Sequence, residues 1–303
     1  VVESAIRHFH LPAVIEPVTA AKDALNVRSA IPLLDIPLIS PEDFTYGQPS
    51  AVCAAAATEV VKQVVNLATH GLVAGIACAP VNKQALLMAG PGYVGHTELI
   101  SSLCDAKDTS MFFFSNDLAL MSVTGHIQLS EVPQRVSGKE ILRKIRLGAK
   151  TFQELHDRRP TIAVCSLDPH SGEGGLLGRV DIDIVAPAVR AAVEEGYFVQ
   201  GPIPADAVFR PYIISKYNLV LGMYHDQVKA AIAAFDSDRF ISYLAGAPLV
   251  RTTTTHGTAF DIAGKGVANP SNMRHAIQAA GAIAIKRFLN GHSHLIQDSS
   301  EAF

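Results

Sequence analysis

The sequence predicts an α/β protein with a three-layer architecture and largely parallel sheets. Short apolar runs that are typical of buried strands alternate with longer helical patterns, which is the order expected when helices cover a parallel sheet. The chain is 49% hydrophobic and 17% charged, and this balance indicates a packed core. Its 303 residues allow roughly two domains.

The first third of the chain predicts one helix and one strand. Residues 1–50 give only weak strand signals, because prolines interrupt them. The run from Ser50 to His70 is apolar nearly all round, with Ser50 as N-cap and Gly71 as the stop, so it predicts a buried helix. Leu72 to Ala79 predicts a core strand.

The rest of the chain continues the alternation. Met111 to Ser115 and Leu118 to Thr124 predict two closely spaced strands separated by Asn116 and Asp117. Gly138 to Arg158 predicts an amphipathic helix whose positive charges form a solvated face. The remaining predicted elements are a strand over Thr161 to Leu167, a helix over Asp181 to Glu195, a strand over Asn218 to Tyr224 and a final helix over Asn272 to Leu289.

Charge and cysteine content exclude several classes of partner. The net charge is −3 and no basic cluster is present, so neither nucleic acid nor an anionic membrane is the expected partner. No apolar run approaches the roughly 18 residues of a membrane span. The cysteines are scattered without a CxxC pair, which favours reduced thiols and a cytoplasmic location. They are Cys53, Cys78, Cys104 and Cys165.

One stretch, residues 221–269, concentrates the candidate chemistry. A strand ending near Tyr224 delivers His225, Asp226 and Gln227 to its carboxyl end, where open α/β sheets bind their ligands. Residues 256–266 then form a polar, glycine-rich turn that lets backbone approach a ligand closely.

Three histidines follow predicted strands in separate loops. Brought together, His126, His170 and His225 would leave open positions on a divalent metal, which is the catalytic arrangement. A single histidine is more often an ordinary core or surface residue, so the spacing alone leaves both interpretations open.

The chain resembles the 4-hydroxythreonine-4-phosphate dehydrogenases of vitamin B6 synthesis through several motifs in the family's order. The motifs are GHTELI at 95–100, VTGHIQLSEV at 123–132, DPHSGEGG at 168–175, GPIPAD at 201–206 and MYHDQ at 223–227. More broadly, HGTAFDIAGKGVANP resembles the adenine-binding loop of isopropylmalate and isocitrate dehydrogenases. The resemblance implies their fold, with two three-layer α/β/α domains and a cleft between them. It places residues 1–93 plus 262–303 in the first domain and 94–261 in the second.

The resemblance implies a metal site and a homodimer. His126, His170 and His225 match the family's metal ligands, which come from both subunits, so the active site is expected to be shared. One divalent ion, Zn, Mg, Mn or Co, would serve, and imidazole ligands favour Zn or another transition metal. Such a metal lowers the pKa of a substrate hydroxyl and prepares it for hydride loss.

The resemblance also implies substrate-binding positions. They are His96 and Thr97, which follow Pro91 to Tyr93 at a helix start suited to anions, with Arg251, Ser242, Asp206 and Asp226. The two aspartates are also catalytic candidates that could assist proton transfer. Lys83 is a further candidate for a supporting catalytic role, because it follows the tip of the strand predicted over Leu72 to Ala79.

Two phosphate-binding positions depart from the family pattern. The family's lysine falls on Ala233 and its asparagine on Ser242, whereas its arginine is retained as Arg251. Lys229 or Arg239 could substitute, since a phosphate needs charge and donors. Alternatively, the substrate carries a carboxylate or no anion at that end.

The expected cofactor is NAD or NADP. GEGGLLG at 172–178 lacks the GxGxxG spacing, and AGKG at 263–266 lacks the rest of a P-loop. By resemblance, the better candidate is the loop from His256 to Asn269. Its predicted cofactor contacts are His256, Gly257, Thr258, Ala259, Asp261 and Asn269.

The expected reaction is the metal-dependent oxidation of 4-phosphohydroxy-L-threonine, followed by decarboxylation to 3-amino-2-oxopropyl phosphate. One alternative keeps the chemistry but acts on threonate or erythronate 4-phosphate, or on an unphosphorylated dihydrodiol carboxylate. Another is an inactive binding homologue, because the family's N-terminal GDPAGIGPE-like turn is absent from this sequence, through either truncation or loss. Isopropylmalate or isocitrate dehydrogenase is disfavoured, since neither an aspartate trio nor paired arginines are found.

Overall fold

The computed structural model describes residues 1–90, 95–116 and 118–291. Its helices are α1 Val2–His8, α2 Ala51–Thr69, α3 Lys83–Ala89, α4 His96–Leu103, α5 Val132–Arg135, α6 Gly138–His156, α7 Ala186–Glu194, α8 Ala205–Val208, α9 Pro211–Ile214, α10 His225–Asp236 and α11 Ser271–Leu289. Its strands are β1 Ile15–Val18, β2 Ile31–Leu34, β3 Ile76–Cys78, β4 Ser110–Ser115, β5 Leu118–Ser122, β6 Thr161–Cys165, β7 Phe198–Ile203, β8 Leu219–Gly222, β9 Ile241–Ala245 and β10 Arg251–Thr253.

The chain forms two compact units, the first spanning Val1–Lys107 with Ala247–Phe303 and the second Asp108–Gly246. The domain boundaries expected from the resemblance stay a prediction, and the one at 93/94 lies outside the described residues. So do the predicted loop Pro91 to Tyr93 and the turn residue Asp117.

Unit 1 is built on short parallel strand pairs. β3 pairs with β10, and α11 packs against both strands, with Thr252 Oγ1 donating to the Ala276 carbonyl at 2.7 Å. β1 pairs with β2 in a separate parallel sheet. Among residues 1–50, none whose burial the structure describes is fully buried, so this segment contributes little to the core.

Unit 2 is a three-layer structure around a sheet with strand order β9-β4-β5-β8-β6-β7. β4 is antiparallel to both neighbours, whereas the pairs from β5 to β7 are parallel. Leu219 of β8 lies against Gly148 of α6, and its neighbour Val220 joins a buried cluster with Val228 of α10. Because successive strand residues face opposite sides, α6 and α10 cover opposite faces.

The structure confirms the α/β class and most predicted elements, with one strand shortened. β5, β6 and β8 lie within the predicted runs, and α6, α7 and α11 lie within or one residue beyond theirs. The strand predicted over Leu72 to Ala79 is reduced to β3, because residues 70–74 form turns and bends. The helices that were not predicted include α3 and α10, together with the short helices α1, α5, α8 and α9.

The prediction of a buried helix over Ser50 to His70 is correct for one face of α2 and wrong for the other. α2 begins as expected, with Ser50 Oγ accepting from the Cys53 amide at 3.3 Å, and it packs against α3, α4 and β3. Its other face, however, is open, with Val52 50% and Val60 43% exposed. By length and composition alone α2 is apolar enough to cross a membrane, a test that core helices also pass. Its buried residues are Ala54, Val61, Val65 and Ala68.

The prediction that all positive charge on α6 is a solvated face is also wrong. Lys144 is buried and donates to Ser110 Oγ at 2.6 Å. Burial lowers the pKa of its ammonium to about 8, and the neighbouring Arg143 acts in the same direction. Arg143 in turn pairs with Glu140 and Asp108. This charge network therefore ties α6 to the start of β4.

Candidate active site

The structure brings two of the three predicted metal-binding histidines together in unit 2. The rings of His126 and His225 lie with their centroids 4.6 Å apart. Both line an open cavity of about 580 Å³, together with Asp226 and Glu131. Asp226 Oδ1 accepts from His225 Nδ1 at 2.7 Å, so the carboxylate orients this imidazole and leaves its Nε2 as the nitrogen available to a ligand.

The β5–β8 ladder explains why these histidines meet. The amides of Val123 and Thr124 donate to the carbonyls of Gly222 and Met223 at 2.8 and 3.1 Å. The ladder therefore continues past the ends of both strands, and the chain reaches His126 beside the first residue of α10, His225.

Gln227, which the sequence analysis placed at this strand end without assigning it a role, fixes the first turn of α10. Its Oε1 accepts from the Met223 amide at 2.7 Å, and its Nε2 donates to the Ser166 carbonyl at 3.0 Å. The side chain thus ties α10 to the end of β6. Its position inside the MYHDQ motif was the available signal.

His170 lies in a separate, strained loop of unit 2. Residues 170–174 all have positive φ, including 51° at His170 and 45° at Glu173. Such conformations cost energy in residues other than glycine and cluster at functional sites. His170 Nδ1 contacts Glu173 Oε1 at 2.7 Å, so a carboxylate orients this imidazole as well. The imidazole is largely exposed.

The described part of a single chain contains no group of three His, Cys, Asp or Glu side chains that could hold a metal. The predicted three-histidine site therefore stays a prediction. Two of its members fit a metal in their chemistry and proximity, and the third presents a carboxylate-oriented imidazole to its surroundings.

The other predicted residues of unit 2 lie apart from the histidine cavity. Asp206 on α8 is exposed and has Arg210 at 3.6 Å. Ala233 is exposed on α10, whereas Ser242 is 3% exposed on β9, directly opposite Phe113. Of the candidate substitutes, Lys229 lies with Nζ 5.0 Å from the Phe113 ring centroid, and Arg239 is 3.3 Å from Asp236.

Unit 1 brings His96 close to Arg251. Arg251 is 3% exposed, and within the described residues its Nε has no hydrogen-bond partner. Burial, helped by the nearby Arg251 guanidinium, lowers the pKa of His96 to about 4. His96 is therefore neutral near pH 7, and its imidazole can both donate and accept a hydrogen bond.

The start of α4 carries His96 and Thr97 as predicted. Gly95 precedes the helix with extended backbone, and a Cβ placed on it would lie 3.6 Å from Lys83 Cε. Lys83 is the first residue of α3, which Asn82 caps through the Ala85 amide at 2.8 Å. These residues place a lysine, a helix N-terminus and a buried arginine in the same unit, and all three attract anions.

The loop predicted to bind the nucleotide lies in unit 1 and is held at both ends. The Thr255 amide donates to Asn272 Oδ1 at 2.8 Å, and Asn269 Oδ1 accepts from the Ser271 amide at 2.9 Å. Asn272 is buried and was missed by the sequence analysis, because an asparagine in a helix gives no functional signal. His256 Nδ1 contacts the Gly257 carbonyl at 2.8 Å, and Ala259 has a φ of 48°. Most of the loop is exposed, including His256, Gly257, Ala259, Asp261 and Asn269, while Thr258 is half-buried.

Comparison with known proteins decides the family. A family described as "Pyridoxal phosphate biosynthetic protein PdxA" matches residues 1–280. The chain belongs to the PdxA family. It is 39% identical over 284 residues to the 4-hydroxythreonine-4-phosphate dehydrogenase of Caulobacter vibrioides, covering 90% of this chain and 84% of that relative.

Other PdxA-family relatives carry more than one name. The chain is 37% identical over 243 residues to a proposed D-threonate 4-phosphate dehydrogenase from Oceanobacillus iheyensis, covering 80% of this chain and 73% of the relative. The crystal structure of 4-hydroxythreonine-4-phosphate dehydrogenase from Klebsiella pneumoniae superposes with a TM-score of 0.79 at 34% identity, covering 93% and 88% of the two chains. The predicted family is confirmed, and as a relative of dehydrogenases the PdxA-family chain is an oxidoreductase.

Proposed function

We propose that the chain is a metal-dependent NAD(P) dehydrogenase that oxidises 4-phosphohydroxy-L-threonine, with decarboxylation to 3-amino-2-oxopropyl phosphate. The observation that carries the proposal is the pair of imidazoles, His126 and His225, with Asp226 orienting the second. Neutral imidazoles with a carboxylate behind them are the ligand chemistry of a catalytic transition metal.

Oxidation of a secondary alcohol needs a charge-stabilising group at the hydroxyl and an acceptor for hydride. When bound, the metal supplies the first and the nicotinamide the second. His126 and His225 are the residues of one chain that would hold the metal. Asp226 keeps His225 in the tautomer whose Nε2 is free to bind, because Nδ1–H donates to the carboxylate.

The anionic end of the substrate is assigned to unit 1. Among the residues that the structure describes, the buried guanidinium of Arg251 has no partner on Nε, which supports a role in binding a phosphate or carboxylate. Neutral His96 and Thr97, at the N-terminus of α4, add donors without adding charge. The exposed, glycine-containing loop His256 to Asn269 is open to a nucleotide, which supports its proposed role.

We assign the third metal ligand, His170, to a neighbouring copy of the chain. Its imidazole is largely exposed, and the same loop carries Leu176 and Leu177, which are 84% and 51% exposed. Neighbouring exposed leucines are typical of an interaction surface. A homodimer would cover them and complete the site.

A second substrate is favoured by positions 233 and 242. Ala233 offers no charge, and Ser242 is buried in the sheet, so neither supplies the phosphate contact expected there. D-Threonate 4-phosphate, the substrate named for the Oceanobacillus relative, or an unphosphorylated acid is therefore the alternative.

The test is reduction of NAD or NADP by the metal-loaded protein with 4-phosphohydroxy-L-threonine, D-threonate 4-phosphate and unphosphorylated threonate. Turnover of the first supports the proposal. Turnover of another acid, with the first inert, supports the second candidate. A rate that is unchanged after chelation of all bound metal would overturn both.

A further inference from the structure

A cluster of aromatic side chains from the first 46 residues lies against the proposed nucleotide loop. We define it as the aromatic clamp, made of His8, Phe9, Phe44 and Tyr46. The centroid of the His8 ring lies 4.6 Å from that of Phe9 and 5.4 Å from that of Tyr46. The Phe44 and Tyr46 rings pack edge to face, with their centroids 5.6 Å apart. Four rings in contact form a rigid platform, since each has few rotatable bonds.

The aromatic clamp contacts the loop at two glycines with positive φ, Gly264 and Gly266. His8 Nε2 lies 3.1 Å from the Gly264 carbonyl, within hydrogen-bond distance. A Cβ at Gly264 would lie 2.9 Å from Tyr46 Cγ, and one at Gly266 would lie 3.3 Å from Phe9 Cδ1. Both glycines have positive φ, 78° and 68°. Glycine is required twice here, for its backbone conformation and for the close approach of the rings.

This contact has no evident role in building a core. No residue among positions 1–50 with described burial is fully buried, and Tyr46 itself is exposed. The loop that the clamp touches is also mostly exposed. The rings bury little surface, yet they pack closely against two glycines of the loop. We therefore infer that they fix the backbone conformation at those glycines.

We propose that the aromatic clamp positions the Gly264 to Gly266 turn for the nicotinamide nucleotide, and that Tyr46 and His8 are positioning residues for cofactor binding. The inference rests on the proposed function, because the loop's ligand is the proposed nucleotide. A loop that is held in its bound shape before the ligand arrives does not have to be ordered by it, so the clamp raises affinity.

The first experiment measures nucleotide affinity in Tyr46→Ala and Tyr46→Phe, with Tyr212→Ala as matched control. Tyr212 is an exposed tyrosine of unit 2, outside the proposed sites. We expect Tyr46→Ala to raise the Kd and KM for NAD or NADP about tenfold, the order expected when the ligand must order the loop, with kcat nearly unchanged. Tyr46→Phe and Tyr212→Ala should stay within about twofold. An unchanged nucleotide Kd in Tyr46→Ala overturns the inference.

The second experiment uses hydrogen exchange to measure, without any ligand, whether the aromatic clamp stabilises the turn. The Lys265 amide donates to the Ile262 carbonyl at 3.1 Å inside the clamped turn. We expect faster hydrogen exchange at Lys265 in Tyr46→Ala and in His8→Ala, with global exchange unchanged. Should Tyr46→Ala fail to fold, His8→Ala removes only the hydrogen bond to Gly264 and one ring of the platform. Unchanged exchange in a folded variant contradicts the clamp.

The two experiments separate the inference from the proposed function. If the wild-type protein binds neither NAD nor NADP, the proposed function fails, and hydrogen exchange alone still decides whether the clamp holds the turn. If the wild type binds nucleotide and Tyr46→Ala binds it equally well, only the clamp fails.

Discussion

At the scale of one residue, a substitution of Asp226 tests whether His126 and His225 bind a metal. Its carboxylate accepts from His225 Nδ1 at 2.7 Å and is otherwise exposed. Asp226→Asn keeps the shape but can present an N–H to Nδ1, which favours the wrong tautomer. We expect a loss of about 10–100-fold in metal affinity, the usual cost of changing a residue that orients a metal ligand. Metal titration against a chelator measures it.

The control for this prediction is His10→Asn. His10 is an exposed histidine of unit 1 with a φ of 52°, a conformation that asparagine tolerates. Metal affinity should be unchanged in His10→Asn. Equal metal affinity in Asp226→Asn and wild type would contradict the proposed site.

His96 predicts a pH dependence of stability. Its folded pKa is about 4, below the usual 6.5, because the imidazole is buried beside Arg251. Between pH 6.5 and about 4, His96 is therefore protonated in the unfolded chain but stays neutral in the folded chain. Stability contributed by neutral His96 is complete above pH 6.5 and is lost as the pH falls through this window. It amounts to at most about 3.5 kcal/mol, since the pKa is lowered from 6.5 to about 4 and one pKa unit corresponds to about 1.4 kcal/mol.

Denaturant unfolding of wild type and His96→Gln at pH 7.5 and 4.5 measures this contribution. The wild type should lose more unfolding free energy between these pH values than the variant, which cannot titrate at position 96. Parallel losses would show that His96 does not resist protonation in the folded state.

At the scale of one element, we expect alanine substitutions at two glycines of the left-handed loop over residues 170–174 to differ in their cost to stability. Gly172 and Gly174 have similar φ, 79° and 66°. A Cβ at Gly172 would lie 2.4 Å from the Gly178 carbonyl oxygen, whereas one at Gly174 would meet nothing within 4 Å. Gly174→Ala should therefore cost only the backbone penalty, about 1 kcal/mol. Gly172→Ala should cost about 3 kcal/mol or open the loop.

Unfolding free energies, together with metal affinity, distinguish these outcomes. If the loop carries His170 to a metal, Gly172→Ala should weaken metal binding and Gly174→Ala should not. Equal effects of the two substitutions would mean that the close approach of Gly172 to Gly178 is unimportant for the position of His170.

Among the elements, sequence periodicity predicts strands better than the helices that follow them. β8 was predicted because an apolar run precedes the polar residues His225 and Asp226. α10 was not predicted, because its N-cap residue, Tyr224, makes no side-chain capping hydrogen bond. The helix also begins directly after the strand, inside the MYHDQ motif, so no loop residues mark its start. The burial of α2 was overestimated because alanine and valine do not reveal which side packs.

At the scale of the whole molecule, the sequence predicts the α/β class and the family, and it predicts the pairing of His126 with His225 only through the resemblance. Tethers such as Gln227 to Ser166 and Thr255 to Asn272 could not be predicted, because they join residues distant in sequence by single hydrogen bonds. His170 is not grouped with this pair in the described part of one chain, so its proposed place at the metal of a neighbouring copy stays a prediction.

The shared site makes its own prediction for mixed dimers. If His126 and His225 of one chain act with His170 of its partner, then His170→Asn and His225→Asn homodimers are both inactive. A heterodimer of the two variants keeps one intact site, formed by His225 of one chain and His170 of the other.

Refolding an equal mixture makes half the dimers mixed, so about a quarter of wild-type activity should return. An activity assay of the refolded mixture measures this, and the tag-purified heterodimer should show about half of wild-type activity. A mixture of His10→Asn with His225→Asn serves as control for exchange. Failure of the first mixture to regain any activity, with mixed dimers present, would show that all three histidines act within one chain.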